Sequence, residues 1–434
     1  MKFIDLFAGL GGFHNALEEL GAECVFASEK KQTLRNLYEE NFGIYPEGDI
    51  TKVDLSCIPD HDILCAGFPC QPFSKAGMQN GLRDEKNGYL FDYIVEILRL
   101  KRPKYFILEN VRNLEKHESG KTYKYIIDKL ENELEYTVKC SILSPHNFGV
   151  PQHRERFFVV GSTDDIDHFE WPRKSKQETN IESILDSKYD NFDSLKLEEE
   201  KIFVLQLWQE FLERLPKGLA IPGPLWSMEF GATYPFEGET PYSVSSIKLG
   251  KSKGNFGVSL KGLSLNETFA SLPSYARHEV NRFPVWKENF IRKNRNFYLE
   301  HGYLFNDLVP HIKNLGVPSW QKFEWNVKGG ERNIFRYLIQ FRGSGVRVKR
   351  TDYFPSLVTV STQIPIVASR LRYLSIEEGK KLQSMKKLKM PDHPSSAFYA
   401  LGNAVNSKVV KLVCQNLVTE FGKVKKEFKQ LSLI

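Results

Sequence analysis

The chain has 434 residues, of which 41% are hydrophobic and 26% are charged, and its formal net charge is +6. This composition excludes a disordered chain, and the mild basic excess is compatible with nucleic acid without requiring it. The length fits one large and one smaller globular domain.

Cysteine usage and the absence of long apolar runs indicate a soluble protein of a reducing compartment. The six cysteines include no C-x-x-C pair and no His/Cys group at zinc-finger spacing, so we predict neither a disulfide framework nor a metal site. Asp5 interrupts the apolar run that an export signal needs, and no stretch approaches the ~18 apolar residues of a membrane span. We therefore predict a cytoplasmic monomer without membrane contact.

The first part of the chain alternates short apolar runs with amphipathic stretches. Helical periodicity of this length between strand-like runs predicts β-α units, a mostly parallel sheet and a Rossmann-like α/β fold. The predicted strands are 2–7, 24–28, 62–66, 105–108, 136–143 and 157–161. The predicted helices are 13–20, 32–41, 91–100 and 123–134.

The pattern changes after residue 172. An amphipathic helix is predicted at 197–215, but from there to about residue 350 no β-α alternation is visible and aromatic and basic residues are frequent. A final helix is predicted at 403–421. We predict a first domain at 1–175, a separate and irregular domain at 176–350, and a return of the chain to the first domain at 351–434.

The first strand leads into a glycine-rich turn, Asp5-Leu-Phe-Ala-Gly9-Leu-Gly11-Gly12. Gly9 and Gly11 allow the backbone to pass close to a small molecule at the carboxyl edge of a parallel sheet. The full G-x-G-x-x-G dinucleotide pattern is absent, so a plain tight turn is the alternative interpretation.

Two acidic residues follow at the expected ends of the next strands. Glu29, the 20th residue after Gly9, can accept hydrogen bonds from ribose hydroxyls, although a solvated surface glutamate is the alternative. Asp49 falls where a third strand edge is expected and can bond an adenine amino group, with Phe7 and Ile50 on the two faces of the ring. Together with the glycine turn, these residues predict an adenosyl site.

The most specific feature is the segment Gly67-Phe-Pro-Cys70-Gln-Pro-Phe-Ser74, which directly follows an apolar run. A cysteine between two prolines at the end of a strand is held on a stiff loop, as a nucleophile requires. A buried, inert cysteine is the alternative, and we apply that interpretation to the other five cysteines.

Glu109 ends the next strand and is expected at the same sheet edge as Cys70. A carboxyl group there can hold N3 of a cytosine while the sulfur adds to C6, which converts the ring into an enamine that is reactive at C5. Arg154 and Arg156 precede the last strand and can bond the cytosine O2 and a flanking phosphate, although a charged surface turn has the same pattern.

Eight segments, in this order, resemble the DNA (cytosine-5)-methyltransferase family. The resemblance covers about residues 1–162 and 352–421. The segments are 7–12, Glu29, 48–50, 69–71, 109–111, 152–156, 372–378 and 402–405. Two departures concern local packing: Asn406 stands where relatives commonly have proline, and Ser384-Met385 stands where many have Gly-Phe-Pro.

The resemblance implies that the chain methylates C5 of a cytosine flipped out of double-stranded DNA, with S-adenosylmethionine as methyl donor and no metal. It implies four catalytic residues: Cys70 as nucleophile, Glu109 on N3, Arg156 on O2 and Arg154 assisting. It implies a cofactor site formed by Phe7, Gly9, Gly11, Glu29, Asp49 and Ile50, with Leu90 at its border and Asn403 bracing it.

The resemblance also implies DNA contacts. Ser74 and Gln71 in the cysteine loop are expected at the DNA, and the polar stretch 80–90 is expected to move and close over it. Residues 176–350 take the place of the family's target-recognition domain, where Arg342, Arg347 and Lys349 suit phosphates or base edges. A solvated basic loop is the alternative for this last segment.

Three other functions compete with this interpretation. A transfer RNA cytosine-5 methyltransferase would share the chemistry but is expected to have a smaller recognition region. A catalytically silent DNA-binding homologue would be expected to lose Cys70 or Glu109, and a Rossmann oxidoreductase would need the full glycine fingerprint. The layout is similar to bacterial restriction-modification enzymes, which implies a nucleoid-associated protein in a bacterial cytoplasm and a cognate restriction endonuclease that acts independently.

Overall fold

The computed structural model describes residues 1–69 and 90–421. The strands in this part of the chain are β1 (Lys2–Leu6), β2 (Glu23–Ser28), β3 (Ile63–Gly67), β4 (Tyr105–Val111), β5 (Thr137–Leu143), β6 (Gln152–His153), β7 (Arg156–Ser162), β8 (Leu225–Trp226), β9 (Lys322–Asn326), β10 (Leu338–Arg342), β11 (Gly345–Lys349), β12 (Phe354–Pro355), β13 (Ile366–Val367) and β14 (Arg372–Tyr373).

The α-helices of the same residues are α1 (Gly12–Glu18), α2 (Gln32–Phe42), α3 (Leu90–Lys101), α4 (Lys121–Asp128), α5 (Glu199–Arg214), α6 (Ser246–Leu249), α7 (Leu265–Ala270), α8 (Val285–His301), α9 (Val309–Lys313), α10 (Ile376–Gln383), α11 (Pro394–Asn403) and α12 (Ser407–Leu417). None of these helices is long and apolar enough to cross a lipid bilayer.

These elements form two compact units. The first contains the described residues of 1–186, 352–361 and 375–421, and the second contains 187–351 and 362–374. The stretch 362–374 therefore lies in the second unit, whereas the sequence placed it with the first domain. The reason is strand pairing, since β13 pairs with β10 and β14 pairs with β13.

The first unit is built on a six-stranded sheet in the order β2-β1-β3-β4-β7-β5. The first four strands are parallel, and β7 runs antiparallel to both β4 and β5. One face packs against α1 and α12, and the other packs against α3. Because both faces are covered, the central strands are almost uniformly apolar, as in Ile63–Ala66 with 0% exposure. The predicted Rossmann-like α/β fold is confirmed.

The parallel strands bring their carboxyl ends to one edge of this sheet. In register, Gly67 at the end of β3 lies beside Glu109 on β4, and Leu6 at the end of β1 lies beside Ser28 and Ala66. The residues that follow β1, β2 and β3 therefore emerge close together, as expected for ligand sites in open α/β sheets.

Asp49 does not end a strand, contrary to the prediction. It caps the 3-10 turn Ile50–Lys52, and its side chain accepts a hydrogen bond from the backbone N–H of Thr51. Aspartate favours this local bond over sheet pairing, so the turn replaces the expected strand edge. The turn still places Asp49 near the sheet edge, because Glu47 forms a parallel bridge with Ser28.

The helix predicted at 403–421 is shorter in the structure, and a separate helix that was not predicted ends where it was expected to begin. α11 ends at Asn403, and α12 begins at Ser407 with Asn406 as its N-cap. The Asn406 side chain accepts a hydrogen bond from the Val409 N–H and donates one to the Leu382 carbonyl. Asparagine thus satisfies the helix start at the position where relatives commonly have proline.

The second unit is more regular than the sequence indicated. Its sheet has the order β14-β13-β10-β11-β9-β8, and none of these strands exceeds five residues. The predicted helix at 197–215 is α5, which buries Trp208 against Phe323 with ring centroids 4.8 Å apart. The Trp208 indole N–H donates to the Trp320 carbonyl, so this large ring is both packed and hydrogen-bonded.

Candidate active site

A cavity of about 400 Å³ lies at the carboxyl edge of the first unit's sheet. Its walls come from the residues after β1 and β2, the ends of β3 and β4, and the C-terminal part of α11. Ten of the residues predicted from the sequence line it: Phe7, Gly9, Glu29, Asp49, Ile50, Leu90, Glu109, Arg154, Arg156 and Asn403.

Glu29 is held in place at one end of the cavity by two backbone donors. The Gly9 N–H donates to its Oε2 at 3.0 Å, and the Lys31 N–H donates to its Oε1 at 2.8 Å. Each oxygen keeps a further lone pair, so the fixed carboxylate can still accept hydrogen bonds from a diol. Phe7 stands beside it with a positive φ of 56°, a conformation that non-glycine residues rarely adopt and that often marks functional sites.

Asp49 forms the second acidic group of this end. Its Oδ1 accepts bonds from the Thr51 N–H at 3.2 Å and the Thr51 hydroxyl at 2.9 Å, and its Oδ2 lies 2.9 Å from the Lys30 Nζ. Partial burial raises the pKa of Asp49, but the bonds from Lys30 and Thr51 outweigh this and hold the pKa below its ordinary value. Asp49 is therefore a permanently charged acceptor. Lys30 was not predicted from the sequence.

Gly11 is the one predicted cofactor residue that does not line the cavity. It caps α1 with φ 81°, and an added Cβ would meet the Phe42 ring at 2.3 Å and the Tyr38 ring at 3.1 Å. A side chain is excluded here by helix packing. The cofactor role predicted for Gly11 stays a prediction, and the packing of Phe42 and Tyr38 is a separate reason for glycine at this position.

Glu109 and Arg156 form an ion pair at the other end of the cavity. The Arg156 Nε lies 2.9 Å from Glu109 Oε1, without the alignment of a hydrogen bond. The Arg156 side chain is only 20% exposed and the Glu109 side chain only 11%. The missing side chain of Gly67 leaves room beside Glu109 Oε2. A carboxyl group and a guanidinium therefore face a shared, largely buried space.

Asn110 connects this pair to the cysteine loop. Its Nδ2 donates to the Phe68 carbonyl at 3.3 Å, and its Oδ1 accepts from the Val111 N–H at 2.8 Å. The bond to Phe68 ties the end of β4 to the chain two residues before Cys70. Asn110 was not among the predicted site residues, although a buried amide directly after Glu109 is a usable signal.

Four of the predictions lie outside the described residues. These are the roles of Cys70, Gln71 and Ser74 and the closing movement of the stretch that begins at residue 80.

Arg154 is a structural clamp, which differs from the role predicted for it. Its Nη1 donates to the Ser356 hydroxyl and the Leu357 carbonyl, and its Nη2 donates to the Gly402 and Ala404 carbonyls, all at 2.9–3.2 Å. Burial lowers the pKa of Arg154 to about 9, so it stays charged at pH 7. Because both terminal nitrogens are occupied, Arg154 fixes the cavity wall, whereas Arg156 pairs with Glu109 inside the cavity.

The C-terminal wall adds an aromatic residue that sequence reasoning missed. Tyr399 lines the cavity, and the Lys31 ammonium lies 3.4 Å from the centre of its ring. Asn403, one helical turn later, donates its Nδ2 to the Tyr399 carbonyl at 3.1 Å. Their spacing of four residues on α11 places both on one helix face, and this spacing is the signal that could have revealed Tyr399.

The three basic residues predicted in the second unit share one face of its sheet. Arg347 lies opposite Gln340 in the β10–β11 pair, and Arg342 and Lys349 stand at alternating positions on the same side. Burial, together with the neighbouring Arg347 and Arg342 charges, lowers the pKa of Lys349. Glu324 on β9 pairs with Arg347. The other face is the hydrophobic core, so this polar face is a concentrated group of cations.

The fold and the cavity together define the class of protein. A doubly wound sheet with an acidic, glycine-flanked pocket at its carboxyl edge, and a carboxyl–guanidinium pair beside it, is a Rossmann-like methyltransferase domain. The chain belongs to the family of C-5 cytosine-specific DNA methylases, whose model matches residues 1–232. Within the described residues, no group of three or more His, Cys, Asp or Glu side chains is placed to hold a metal ion.

Similar proteins include bacterial modification enzymes. Type II methyltransferase M.HhaI of Haemophilus parahaemolyticus is 45% identical over 187 residues, which are 43% of this chain and 57% of that protein. Type II methyltransferase M.NgoBI of Neisseria gonorrhoeae is 42% identical over 244 residues, 56% of this chain and 73% of that protein. The match to M.HhaI thus spans little more than half of the relative.

Among solved structures, the Entamoeba histolytica methyltransferase EhMeth matches with a TM-score of 0.52 and 14% identity, over 97% of this chain and 98% of that one. At this identity the likeness supports the fold.

Proposed function

We propose that the protein transfers a methyl group from S-adenosylmethionine to C5 of a cytosine in a specific short sequence of double-stranded DNA. The family match and the likeness to type II methyltransferases support this reaction. The single observation that carries the proposal is the cavity itself. It joins an acidic end of the size of an adenosyl group to the Glu109–Arg156 pair. Pro69, the residue directly before Cys70, also lines it.

The residues at the acidic end suit this cofactor. Glu29 is oriented by two backbone donors and can accept both ribose hydroxyls, and Asp49 can accept the adenine amino group. Phe7 and the buried Ile50 offer apolar surface for the ring, with Leu90 at the border. When bound, S-adenosylmethionine supplies an electrophilic methyl group, and the two carboxylates favour its sulfonium charge.

The chain's own residues activate the cytosine. The Cys70 sulfur forms a bond to C6, the C5–C6 π pair shifts to the C4–C5 bond, and the C4–N3 π pair moves onto N3, which takes the proton of Glu109 in its protonated form. Arg156 bonds the O2 oxygen and holds Glu109 in position. C5 is then nucleophilic and accepts the methyl group. Loss of the C5 proton and departure of the Cys70 thiolate restore the aromatic ring.

The target base must leave the duplex to reach this cavity, which costs a few kcal/mol that contacts in the pocket offset. We assign recognition of the DNA sequence to the second unit, whose polar sheet face carries Arg342, Arg347 and Lys349. Gln71 and Ser74 of the cysteine loop are proposed to contact the DNA beside the flipped base.

We further propose that the protein is the modification enzyme of a restriction-modification system. The support is its similarity to type II methyltransferases of Haemophilus parahaemolyticus and Neisseria gonorrhoeae. In that role it acts as a monomer in the bacterial cytoplasm, on nucleoid DNA, and a separate restriction endonuclease recognises the same sequence.

Bisulfite sequencing of plasmid DNA tests the reaction. The plasmid is prepared from a methylation-free bacterial host that expresses the protein, the Cys70→Ala variant or the Cys57→Ala variant. Cys57 is a matched control because it is exposed in the turn Leu55–Cys57, away from the cavity. We expect protected cytosines in one short sequence context for the wild type and for Cys57→Ala, and none for Cys70→Ala.

Uniform conversion in all three samples would contradict the proposal for DNA. The same proteins would then be assayed with tritiated S-adenosylmethionine on transfer RNA. Methylation of transfer RNA alone would show that the chemistry is right and the substrate wrong. Protected cytosines in the Cys70→Ala sample would show that Cys70 is not the nucleophile, although the protein would still be a DNA cytosine methyltransferase.

A further inference from the structure

A second cavity of about 880 Å³ lies in the first unit, and none of its lining residues belongs to the active-site cavity. Five lysines line it: Lys381, Lys386, Lys387, Lys408 and Lys411. We call this cavity the lysine groove.

Separate parts of the chain bring these lysines together. Lys381 lies on α10, the loop after α10 supplies Lys386 and Lys387, and Lys408 and Lys411 stand one turn apart on α12. α12 is anchored to α1 within the groove lining, since Asn15 on α1 donates to the Ser407 hydroxyl at 2.7 Å and both residues line the groove. The groove therefore has a rigid floor of packed helices under its charges.

The positive charge of the groove is largely unbalanced. Glu19 is the single carboxylate among its lining residues, and it pairs with Lys411 at 2.8 Å. The Lys381 ammonium donates to the Ile184 carbonyl at 2.9 Å. Lys386, Lys387 and Lys408 are exposed, and none has a carboxylate within ion-pair distance among the residues that the structure describes. Three uncompensated ammonium groups around one space attract an anion.

The lining also indicates what kind of anion fits. The 11-residue helix α12 begins at the groove, and the positive end of its dipole adds to the lysine charges and favours an anion such as phosphate, although the Asn406 side chain already caps the Val409 N–H. Among the described lining residues there is no aromatic ring on which a nucleotide base could stack. The apolar side chains Val150 and Ile184 are both only 6% exposed and the partly buried Leu412 packs against the core, so the groove offers little apolar surface for a membrane.

We propose that the lysine groove binds the sugar-phosphate backbone of a second DNA segment, in addition to the duplex whose base enters the active-site cavity. Phosphate contacts from lysine are independent of base sequence, so the groove holds non-target DNA. Such a contact keeps the enzyme on a long DNA molecule while the active site is empty. It goes beyond the methyl transfer proposed above and does not require it.

Lysine footprinting tests this site directly. The full-length protein is treated with an amine-acetylating reagent alone, with a random 30-base-pair duplex, with inorganic phosphate or with vesicles of anionic phospholipid, and each lysine is quantified by mass spectrometry. We expect the duplex to slow acetylation of Lys386, Lys387 and Lys408 at least fivefold. The exposed Lys2, Lys121 and Lys124 of the same unit serve as internal controls and should change less than twofold.

A charge-reversal variant, Lys386→Glu/Lys387→Glu/Lys408→Glu, provides a second readout. Each phosphate contact contributes about 0.9 to the slope of log affinity against log salt, so the variant should lower that slope for the random duplex by about 2 to 3. Lys2→Glu/Lys121→Glu/Lys124→Glu is the control of equal charge and should leave the slope within 0.5 of wild type, about half of one contact. Thermal unfolding of both variants confirms that they are folded.

Equal protection of groove and control lysines, or equal slopes for the two variants, would overturn the proposal and identify the groove as solvated surface. Protection by vesicles or by inorganic phosphate but not by the duplex would overturn the assignment to DNA. None of these readouts uses methyl transfer, so failure of the proposed reaction and failure of this site are separate results.

Discussion

The two ends of the active-site cavity are built differently. At the adenosyl end, Glu29 and Asp49 are fixed by local bonds from Gly9, Lys31 and Thr51, all within about 20 residues of their acceptors. At the reactive end, the strand ends converge and the wall is clamped by Arg154, whose partners lie 202 to 250 residues away. Under the proposed function, cofactor binding therefore depends on local turns, and catalysis depends on the folded first unit as a whole.

This difference predicts that changes at the adenosyl end weaken cofactor binding and leave the chemical step intact. Changes at the reactive end should either stop the chemical step or unfold the first unit. Variants that stay folded should keep their affinity for the cofactor. The expected effects decrease in the following order.

Glu109→Gln should have the largest effect on the reaction. Glutamine keeps the shape of the side chain but has no proton to supply to N3, and loss of general acid catalysis typically costs about 10²–10⁴ in rate. We expect kcat to fall by about that factor while the Kd for S-adenosylmethionine changes less than about threefold, because Glu109 lies at the other end of the cavity. Steady-state and single-turnover kinetics measure the rate, and equilibrium dialysis measures the Kd. A normal kcat would remove Glu109 from the mechanism.

Arg154→Met should mainly lower stability. The substitution removes the Arg154 donors of three buried carbonyls and of the half-buried Ser356 hydroxyl; each lost bond to a buried carbonyl costs about 1–3 kcal/mol, so we expect the free energy of unfolding to fall by at least about 3 kcal/mol. Arg156→Met is the matched control two residues away. It breaks a single ion pair at the cavity, so it should lower stability less than Arg154→Met does and lower kcat strongly. Denaturant titration with parallel activity assays separates the two arginines, and equal stability of the two variants would contradict the clamp.

Glu29→Gln should weaken cofactor binding without changing the chemical step. Hydrogen bonds to charged groups contribute about 1.5–3 kcal/mol, so the Kd for S-adenosylmethionine should rise by about 10- to 100-fold. At saturating cofactor, kcat should stay within about twofold of wild type. Isothermal titration calorimetry measures the Kd. A fall in kcat with unchanged Kd would contradict the separation of the two ends, because it would show that Glu29 acts on the chemical step.

Lys30→Met should have the smallest effect, visible only at low pH. The bonds from Lys30 and Thr51 keep the pKa of Asp49 low, so Asp49 stays ionised and wild-type affinity for S-adenosylmethionine should show no step due to Asp49 above pH 5. Without Lys30 the pKa rises toward its ordinary value. The protonated form then accumulates as pH falls, and affinity should decline at a higher pH than in the wild type. Because the ordinary pKa of an aspartate is 3.8, titrations between about pH 2 and 6 measure this shift, and identical profiles would show that Lys30 does not act on Asp49.

In the first unit, site residues could be predicted from the sequence where they stand at the end of a predicted strand. Glu29 and Glu109 directly follow or end apolar runs, and parallel strands necessarily bring such residues to one edge. Asp49 was predicted at the right edge but on the wrong element, because a local aspartate cap replaced the strand. Gly11 was predicted for a ligand, and the rings of Phe42 and Tyr38, whose approach no local pattern reveals, are a separate reason for glycine there.

The second unit was less predictable because its sheet depends on distant pairings. β8 pairs with β9 almost 100 residues later, and its strands have two to five residues, too short for a clear alternating pattern. The clamp at Arg154 was hidden for the same reason, since an arginine in a charged turn has the pattern of a surface residue. Its acceptors at Ser356 and Gly402 appear only in the folded chain.

The most direct test of the account is to trap the reaction on duplex DNA that carries 5-fluorocytosine at every cytosine. After methylation, the fluorine on C5 cannot leave as a proton does, so the bond between C6 and the nucleophile cannot be broken by elimination. With S-adenosylmethionine present, we predict a covalent protein–DNA adduct that survives denaturation and maps by mass spectrometry to Cys70, with none formed by Cys70→Ala. An adduct on another cysteine, or no adduct under conditions where ordinary duplex DNA is methylated, would contradict the account.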